Sequence, residues 1–516
     1  MTLKTYTFSQ GEKNTGIVTN APSNAVYWST GKNIRFKPGC LYKTPGKTLL
    51  TTVPGGRAIR ELFTFIDNSN TVRTIVCCDD KIYSYHDEFA EYEDITPSPA
   101  PTSDSSAIWQ IALIGGCPVV TNGVDGLWQW KNFGSVMTRI ANAPLAKYLT
   151  TSYHRLMLVN IQEGAYSYPA RFRWSGVANP TIWTEDKDSK SGHGDIVNMG
   201  EGIDTSERLK SALGVGELTY FFADRTIWYA TIVNNPYAYK LNLIKDSVGL
   251  MATKAKVAVR GKVYMIGNDD FYVLDQGTQQ SIGFAIKNSV FPNINKSASY
   301  LSYSFYQPTT NEVFFCLPML DNKSLSPTPV NTAYVYNLEL NNWSVCDVDY
   351  LAHTYNWSAD QIEWDNSQGT WDSQSDKWDT VSNNGVLPYS VVGNSSGQIF
   401  KLDSTYDNNG VAIEAYIETG DMNFSSLDFF KETDSVYCNF KPQDIDTPVL
   451  IQVGVRDSLS DPIKWSAPMA YTVGISKKAD FRHEGMWTRF RFSTSQIEDQ
   501  WALETFMSKY SYRGRR

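Results

Sequence analysis

The residues that usually carry chemistry are scattered in this 516-residue chain. Its five histidines are His86, His154, His193, His353 and His483. None belongs to an HExxH helix, the GxSxG match at Gly393-Asn394-Ser395-Ser396-Gly397 lies in the turn of a repeat hairpin and not in a strand-to-helix elbow, and the chain has no glycine-rich phosphate loop. Two carboxylate pairs, Asp79-Asp80 and Asp269-Asp270, fall in short polar turns between apolar runs. For glycoside hydrolysis, a carboxylate pair must face a partner across a cleft. In turns, aspartate serves mainly to fold back on its own backbone. The seven cysteines are odd in number and include no CxxC pair. The adjacent Cys77 and Cys78 sit in an apolar run and read as buried free thiols of a chain folded in a reducing compartment. No catalytic residue, cofactor site or metal site is assigned from these patterns.

A second cluster is richer. From Ile362 the chain reads IEWDNSQGTWDSQSDKWDT. Trp364-Asp365, Trp371-Asp372 and Trp378-Asp379 recur every seven residues. The Asp, Asn, Ser and Gly between them disfavour a helix. The expectation is a loop over 362–380 anchored by three indoles, either pinned internally or offered to a partner. Metal binding by the three aspartates is the weaker reading, because no compact acidic loop of the EF-hand kind is present. The WD dipeptides do not make a WD40 protein. That family spreads one per repeat of about 40 residues with an upstream GH, whereas here three fall within 16 residues and the chain's GH, Gly192-His193, lies far upstream of them. DNSQGTW also has the wrong Asp-to-Gly distance for a sialidase Asp-box. Arg171 and Arg173, in RFRWSGVANPTIWT, share one strand face and suit ion-pair or cation–π roles inside the fold. The terminal Arg513, Arg515 and Arg516 form a basic end, a solvated tail or a contact for an acidic neighbour or phosphate.

The elements that must position these groups are hairpins. An apolar strand, a tight polar turn and a strand ending in aromatics recur as VRTIVCC-DD-KIYSY from Val72, PVVTNGVDGLWQW from Pro118 and LTYFFADRTIWYA from Leu218. The pattern returns as KVYMIGNDDFYVL from Lys262 and YSVVGNSSGQIFKL from Tyr389. Clear neighbours are about 45 residues apart, which suggests propeller blades. Aromatics make up 13% and charged residues only 19%, a composition suited to half-buried pleated surfaces. The fold class expected is all-β: a β-propeller of about six to seven blades with rim insertions, plus a C-terminal β-sandwich-like module. Residues 1–59 are expected to contribute β structure to the propeller, 60–410 to form it and 411–516 to form the sandwich, whose strands are longer and lack the repeat.

The net charge of −8 argues against gripping nucleic acid through counterion release. The N-terminus has no apolar h-region of a Sec signal, and the longest apolar stretch, from Ile108, is too short to span a bilayer. The expectation is a chain that starts in the cytoplasm without stable membrane insertion.

One stretch resembles a known family. NAVYWSTGKNIRFKPGCLYKTPGKTLL is similar to the opening of tail nozzle proteins of short-tailed bacteriophages, a class that includes packaged-DNA stabilisation proteins. The residues that carry it are Trp28, Asn33, Ile34, Arg35, Phe36, Gly39, Lys43 and Gly46, with RWSGVANPTIW and the clustered TWD elements as looser support. The resemblance implies a non-enzymatic virion protein: a homo-hexameric ring at the end of the tail, below an adaptor ring. It would extend the channel for double-stranded DNA, hold the packaged genome and dock fibres or spikes. It would be assembled in the host cytoplasm. An acidic channel would let DNA pass without sequence-specific binding. The alternative expectation is a propeller glycosidase or polysaccharide lyase, or a glycan-binding protein, of a tail spike.

Overall fold

The computed structural model describes residues 4–7, 16–19, 27–67, 69, 71–86, 91–104, 107–185, 191–196, 207–233, 239–245, 248–320, 329–356, 388–442 and 447–515. Among them, seven four-stranded antiparallel units follow one another along the chain. Their innermost strands are Ile59–Ile66, Gln110–Ile114, Leu145–Ser152, Leu209–Val215, Lys256–Val259, Tyr303–Gln307 and Ala352–Asn356. Each then zigzags outward through hairpins. In the first blade, for example, Ile75 lies opposite Phe63 and Ser84 opposite Ile75.

The ring closes through its seams. Val119 and Leu127 of the second blade pack with Leu149, Leu156 and Leu158 of the third. Phe172 of the third blade meets Phe221 of the fourth at 4.5 Å between ring centroids. Apolar clusters continue from the fourth blade to the sixth and from the sixth to the seventh. The last seam brings Ala352, Val391 and Ile399 of the seventh blade against Ile59, Leu62 and Val76 of the first. Both faces of every blade are therefore buried by neighbours, which explains why second strands such as Val72–Cys78 are apolar runs without alternation. Cys77 and Cys78 are fully buried and free. The molecule is an all-β propeller, with seven blades among the described residues.

The seventh blade is completed from far away in sequence. Gln398–Thr405 pairs antiparallel with Gly46–Thr52, which forms the outermost strand. With Ile59, which opens the first blade, this strand is the part of segment 1–59 that enters the propeller. Trp28–Lys32 pairs instead with Ala415–Thr419. Ile34–Lys37 pairs with Cys40–Lys43, which continues onto Ala502–Arg515. The sandwich therefore draws strands from both ends of the chain.

Its two sheets face each other across an aromatic core. One contains Phe429–Phe440 and Ala502–Arg515, and the other contains Val449–Arg456 and Trp487–Thr494. Trp28 meets Phe492 of its own sheet and Phe506 of the facing sheet, each at 6.4 Å. A single bridge from Val345 to Ile34 makes the sixth blade continuous with the first of these sheets.

Candidate functional site

Two places concentrate polar chemistry: the propeller axis and the joint between propeller and sandwich. At the axis, a cavity of about 480 Å3 is lined by inner-strand residues and their flanks from all seven blades. Across it, Glu61 of the first blade forms an ion pair with Lys254, which leads into the fifth. The Lys254 ammonium also donates to the Arg60 carbonyl at 3.0 Å. Burial pushes the Glu61 carboxyl up, and Lys254 pulls against that shift. Lys256 donates to Ser211 Oγ at 2.5 Å and to the Thr253 carbonyl at 2.8 Å. Both acceptors are neutral, and burial pulls the Lys256 amine down to about 7. His353 stacks on Phe305 at 4.1 Å and lies 3.0 Å from Ser390 Oγ. Burial lowers its pKa to about 3, so its ring is neutral at ordinary pH. Side chains from opposite blades thus meet on the axis. A duplex, whose major groove alone is about 12 Å wide, has no path through one propeller.

At the joint, the Trp28–Gly46 motif is built into the structure almost residue by residue. Asn33 takes a left-handed φ of 56°, a conformation that asparagine tolerates. Its side chain donates to Asp347 at 3.0 Å and to the Glu414 carbonyl at 2.7 Å, while its oxygen accepts the Asp347 N–H at 2.8 Å. Arg35 is fully buried. Its Nε donates to Glu312 of the sixth blade at 2.8 Å, and its Nη1 spans both oxygens of Asp403 of the seventh at 2.8 and 2.9 Å. Burial works against the guanidinium charge, and Asp403 and Glu312 outweigh it. Buried Lys43 pairs with Asp499, and Lys47 pairs with Asp349. Gly39 turns the hairpin with φ +82°, and a Cβ on Gly46 would lie 1.7 Å from the Asp407 carbonyl oxygen. These residues hold three bodies together: the sandwich, the sixth blade and the seventh.

A second charged cluster lies within the sandwich. Asp421 accepts from Arg456 at 2.9 Å and from Arg489 at 2.9 and 2.6 Å. Burial raises the Asp421 carboxyl, but the two guanidinium groups overcome this and hold it below the usual carboxylate range. Neighbouring Glu418 accepts from Arg491 at 2.7 Å.

The residues singled out from sequence fall in several places. Trp364, Asp365, Trp371, Asp372, Trp378 and Asp379 lie outside the described residues, as does Arg516. The last strand runs on to Arg515, and Arg513 pairs with Glu432 within the sandwich sheet. Arg171 grips Asp195 at 2.8 and 3.0 Å and lies over Tyr168 at 4.0 Å. Arg173 pairs with Glu163 and caps the Trp183 carbonyl. Asp270 accepts from Phe271 N–H, Ser281 and Lys287 at 2.7–2.8 Å, which makes it a turn anchor. Asp79 and Asp80 pair with Arg60 and Arg57. No group of three or more His, Cys, Asp or Glu able to hold a metal occurs among the described residues. No helix among them is long and apolar enough to cross a membrane. The axial lysines were not legible in the sequence because the two lysines of KAKVAV, Lys254 and Lys256, carry no signal until seven strands converge on them.

No family model matches the sequence, and no curated protein does. Among solved structures, the chain is similar to the WD40 domain of Pan2 from Neurospora crassa. That match has 7% identity and a TM-score of 0.38, and covers 71% of this chain and 96% of that one. It is also similar to selenomethionine-substituted virginiamycin B lyase from Staphylococcus aureus. There the identity is 9% and the TM-score 0.39, covering 70% and 99% of the two chains. The fold assignment stands on the strand pairing above.

Proposed function

We propose that this protein is a subunit of the nozzle that ends a short bacteriophage tail. Six copies would form a ring below an adaptor and carry fibres or spikes. The ring would extend the path of the double-stranded genome and help retain it. The observation that carries this reading is the Trp28–Gly46 motif, whose buried Arg35, Lys43 and Gly46 tie the sandwich to the last two blades. A ring that holds pressurised DNA needs subunits that do not flex internally, and a buried, paired guanidinium gives such rigidity. Removing one partner would leave uncompensated charge.

The blocked propeller axis adds a constraint. DNA would pass between subunits, through the centre of the ring, and not through a propeller. A closed ring of this kind uses heterologous head-to-tail contacts. The chain's charge of −8 suits a lumen that repels phosphates.

Electron microscopy of native particles labelled with an antibody against this chain tests the proposal. Label at the distal tail, with sixfold density, is expected. Label on peripheral spikes would move the protein to the glycan-processing or glycan-binding reading. New reducing ends after incubation with host capsule or lipopolysaccharide would identify the processing form. Absence of the chain from mature particles would overturn the nozzle reading.

A further inference from the structure

The joint between propeller and sandwich also holds a cleft of about 590 Å3, within the range of small-ligand sites. One wall is the outer face of a sandwich sheet. Ala415 and Ile417 of that sheet belong to the sandwich core, so Glu414 and Tyr416, which alternate with them, point away from it. Register sets Lys32 directly opposite Tyr416 on the strand paired to one side, and both residues border the cleft. On the strand paired to the other side, Arg491 lies over the Tyr416 ring at 5.6 Å. The second wall belongs to the sixth blade, where Tyr334 and Val345 are cross-strand partners, as are Thr332 and Asp347. An ion pair from Lys32 to Asp347 at 3.0 Å joins the two walls. Buried Ile286 and Met319 add apolar lining.

Three lining residues carry charge: Lys32, Asp347 and Glu414. The first two neutralise each other. Glu414 is exposed, and its carboxylate makes no hydrogen bond or ion pair among the described residues. The cleft thus sets an unengaged carboxylate, an ammonium with donors to spare and the Thr30 hydroxyl beside an aromatic ring.

We propose that this cleft binds a neutral hexose unit, its ring against Tyr416 and its hydroxyls shared among Glu414, Lys32 and Thr30. A sugar hydroxyl both donates and accepts, so neighbouring hydroxyls give to the carboxylate and accept from the ammonium. The C–H face of the sugar is apolar and suits an aromatic wall. An anionic ligand would bring a like charge against Glu414 and Asp347, which disfavours it. A free hexose and the end of a longer glycan share this chemistry, and probes of two lengths separate them. The site does not rest on the nozzle reading, and its failure would leave that reading untouched.

Titration of the full chain with glucose, galactose, maltose and lactose, followed by saturation-transfer NMR, reads the site directly. Saturable binding of at least one of the four at millimolar concentration is expected. Tighter binding of a disaccharide than of the single sugars identifies the end of a longer glycan, and equal binding identifies a single-hexose site. Tyr416→Ala removes the aromatic wall and is expected to weaken binding about tenfold. Glu414→Gln keeps the shape of an exposed side chain and is expected to weaken it several-fold, a readout that survives if the tyrosine variant folds poorly. Tyr166→Ala, at a tyrosine 72% exposed on the third blade, is expected to change nothing. Glucuronate is expected to bind more weakly than the neutral sugars. Absence of saturable binding by all four sugars, tighter binding of glucuronate than of any of them, or wild-type affinity in both Tyr416→Ala and Glu414→Gln would overturn the proposal.

Discussion

The first five blades and the last two are held together differently. Blades one to five each close on four consecutive strands, and apolar seams join them. The seventh borrows its outer strand from Gly46–Thr52, and the sixth runs on into Ile34–Lys37. Where consecutive strands close a blade, charged side chains pair with near neighbours in sequence, as Arg171 does with Asp195 and Arg73 with the buried Asp67. Where distant segments meet, charge is buried: Arg35 with Glu312 and Asp403, and Lys43 with Asp499. The difference teaches that local closure needs only apolar packing and short-range ion pairs, whereas joining sequence-distant bodies in one register uses directional, charge-assisted contacts that span the chain. Such contacts fix geometry more than they add net stability, because desolvation offsets much of the attraction.

Breaking the comparison at its strongest point means removing Arg35. Arg35→Leu leaves two carboxylates facing a dry joint, and a loss of roughly 3–5 kcal/mol is expected in denaturant unfolding. A loss below about 1 kcal/mol would show that the joint is not built on this guanidinium.

His353 gives the next effect. It is buried neutral on the seventh blade's inner strand, with its pKa lowered to about 3, while an unfolded histidine titrates near 6.5. Between these values the unfolded chain holds more protons, so stability should rise with pH across that window, by at most about 1.4 kcal/mol per pH unit. His353→Asn should flatten that slope in thermal melts taken from pH 4 to 7. An unchanged slope would remove the histidine as its source.

The smallest effect belongs to a contiguous blade. Arg171→Gln breaks a part-exposed pair and should cost no more than about 1 kcal/mol by the same denaturant measurement. A loss matching that of Arg35→Leu would erase the distinction between the two regions.

The hairpin repeat was legible because each unit is local. VRTIVCC-DD-KIYSY already contains two strands and their turn, and its unbroken apolar run reports burial on both faces. The joint was legible only as a motif. Asn33, Arg35, Lys43 and Gly46 stood out by resemblance, yet their partners Asp347, Glu312, Asp499 and Asp407 lie some 277 to 456 residues away along the chain. The axial cavity was not legible, since no local pattern brings residues of seven successive blades onto one axis.

Residue order by itself determined that this chain is all-β, built from repeated aromatic-edged hairpins followed by longer alternating strands. Those features depend on turn chemistry and period-two patterning, which act within about ten residues. Only the tertiary structure decided that there are seven blades, that segment 1–59 divides between two bodies, and that Glu61 and Lys254 meet on the axis. These outcomes depend on which distant surfaces satisfy one another's apolar area and charge, and such pairing is a property of the closed ring.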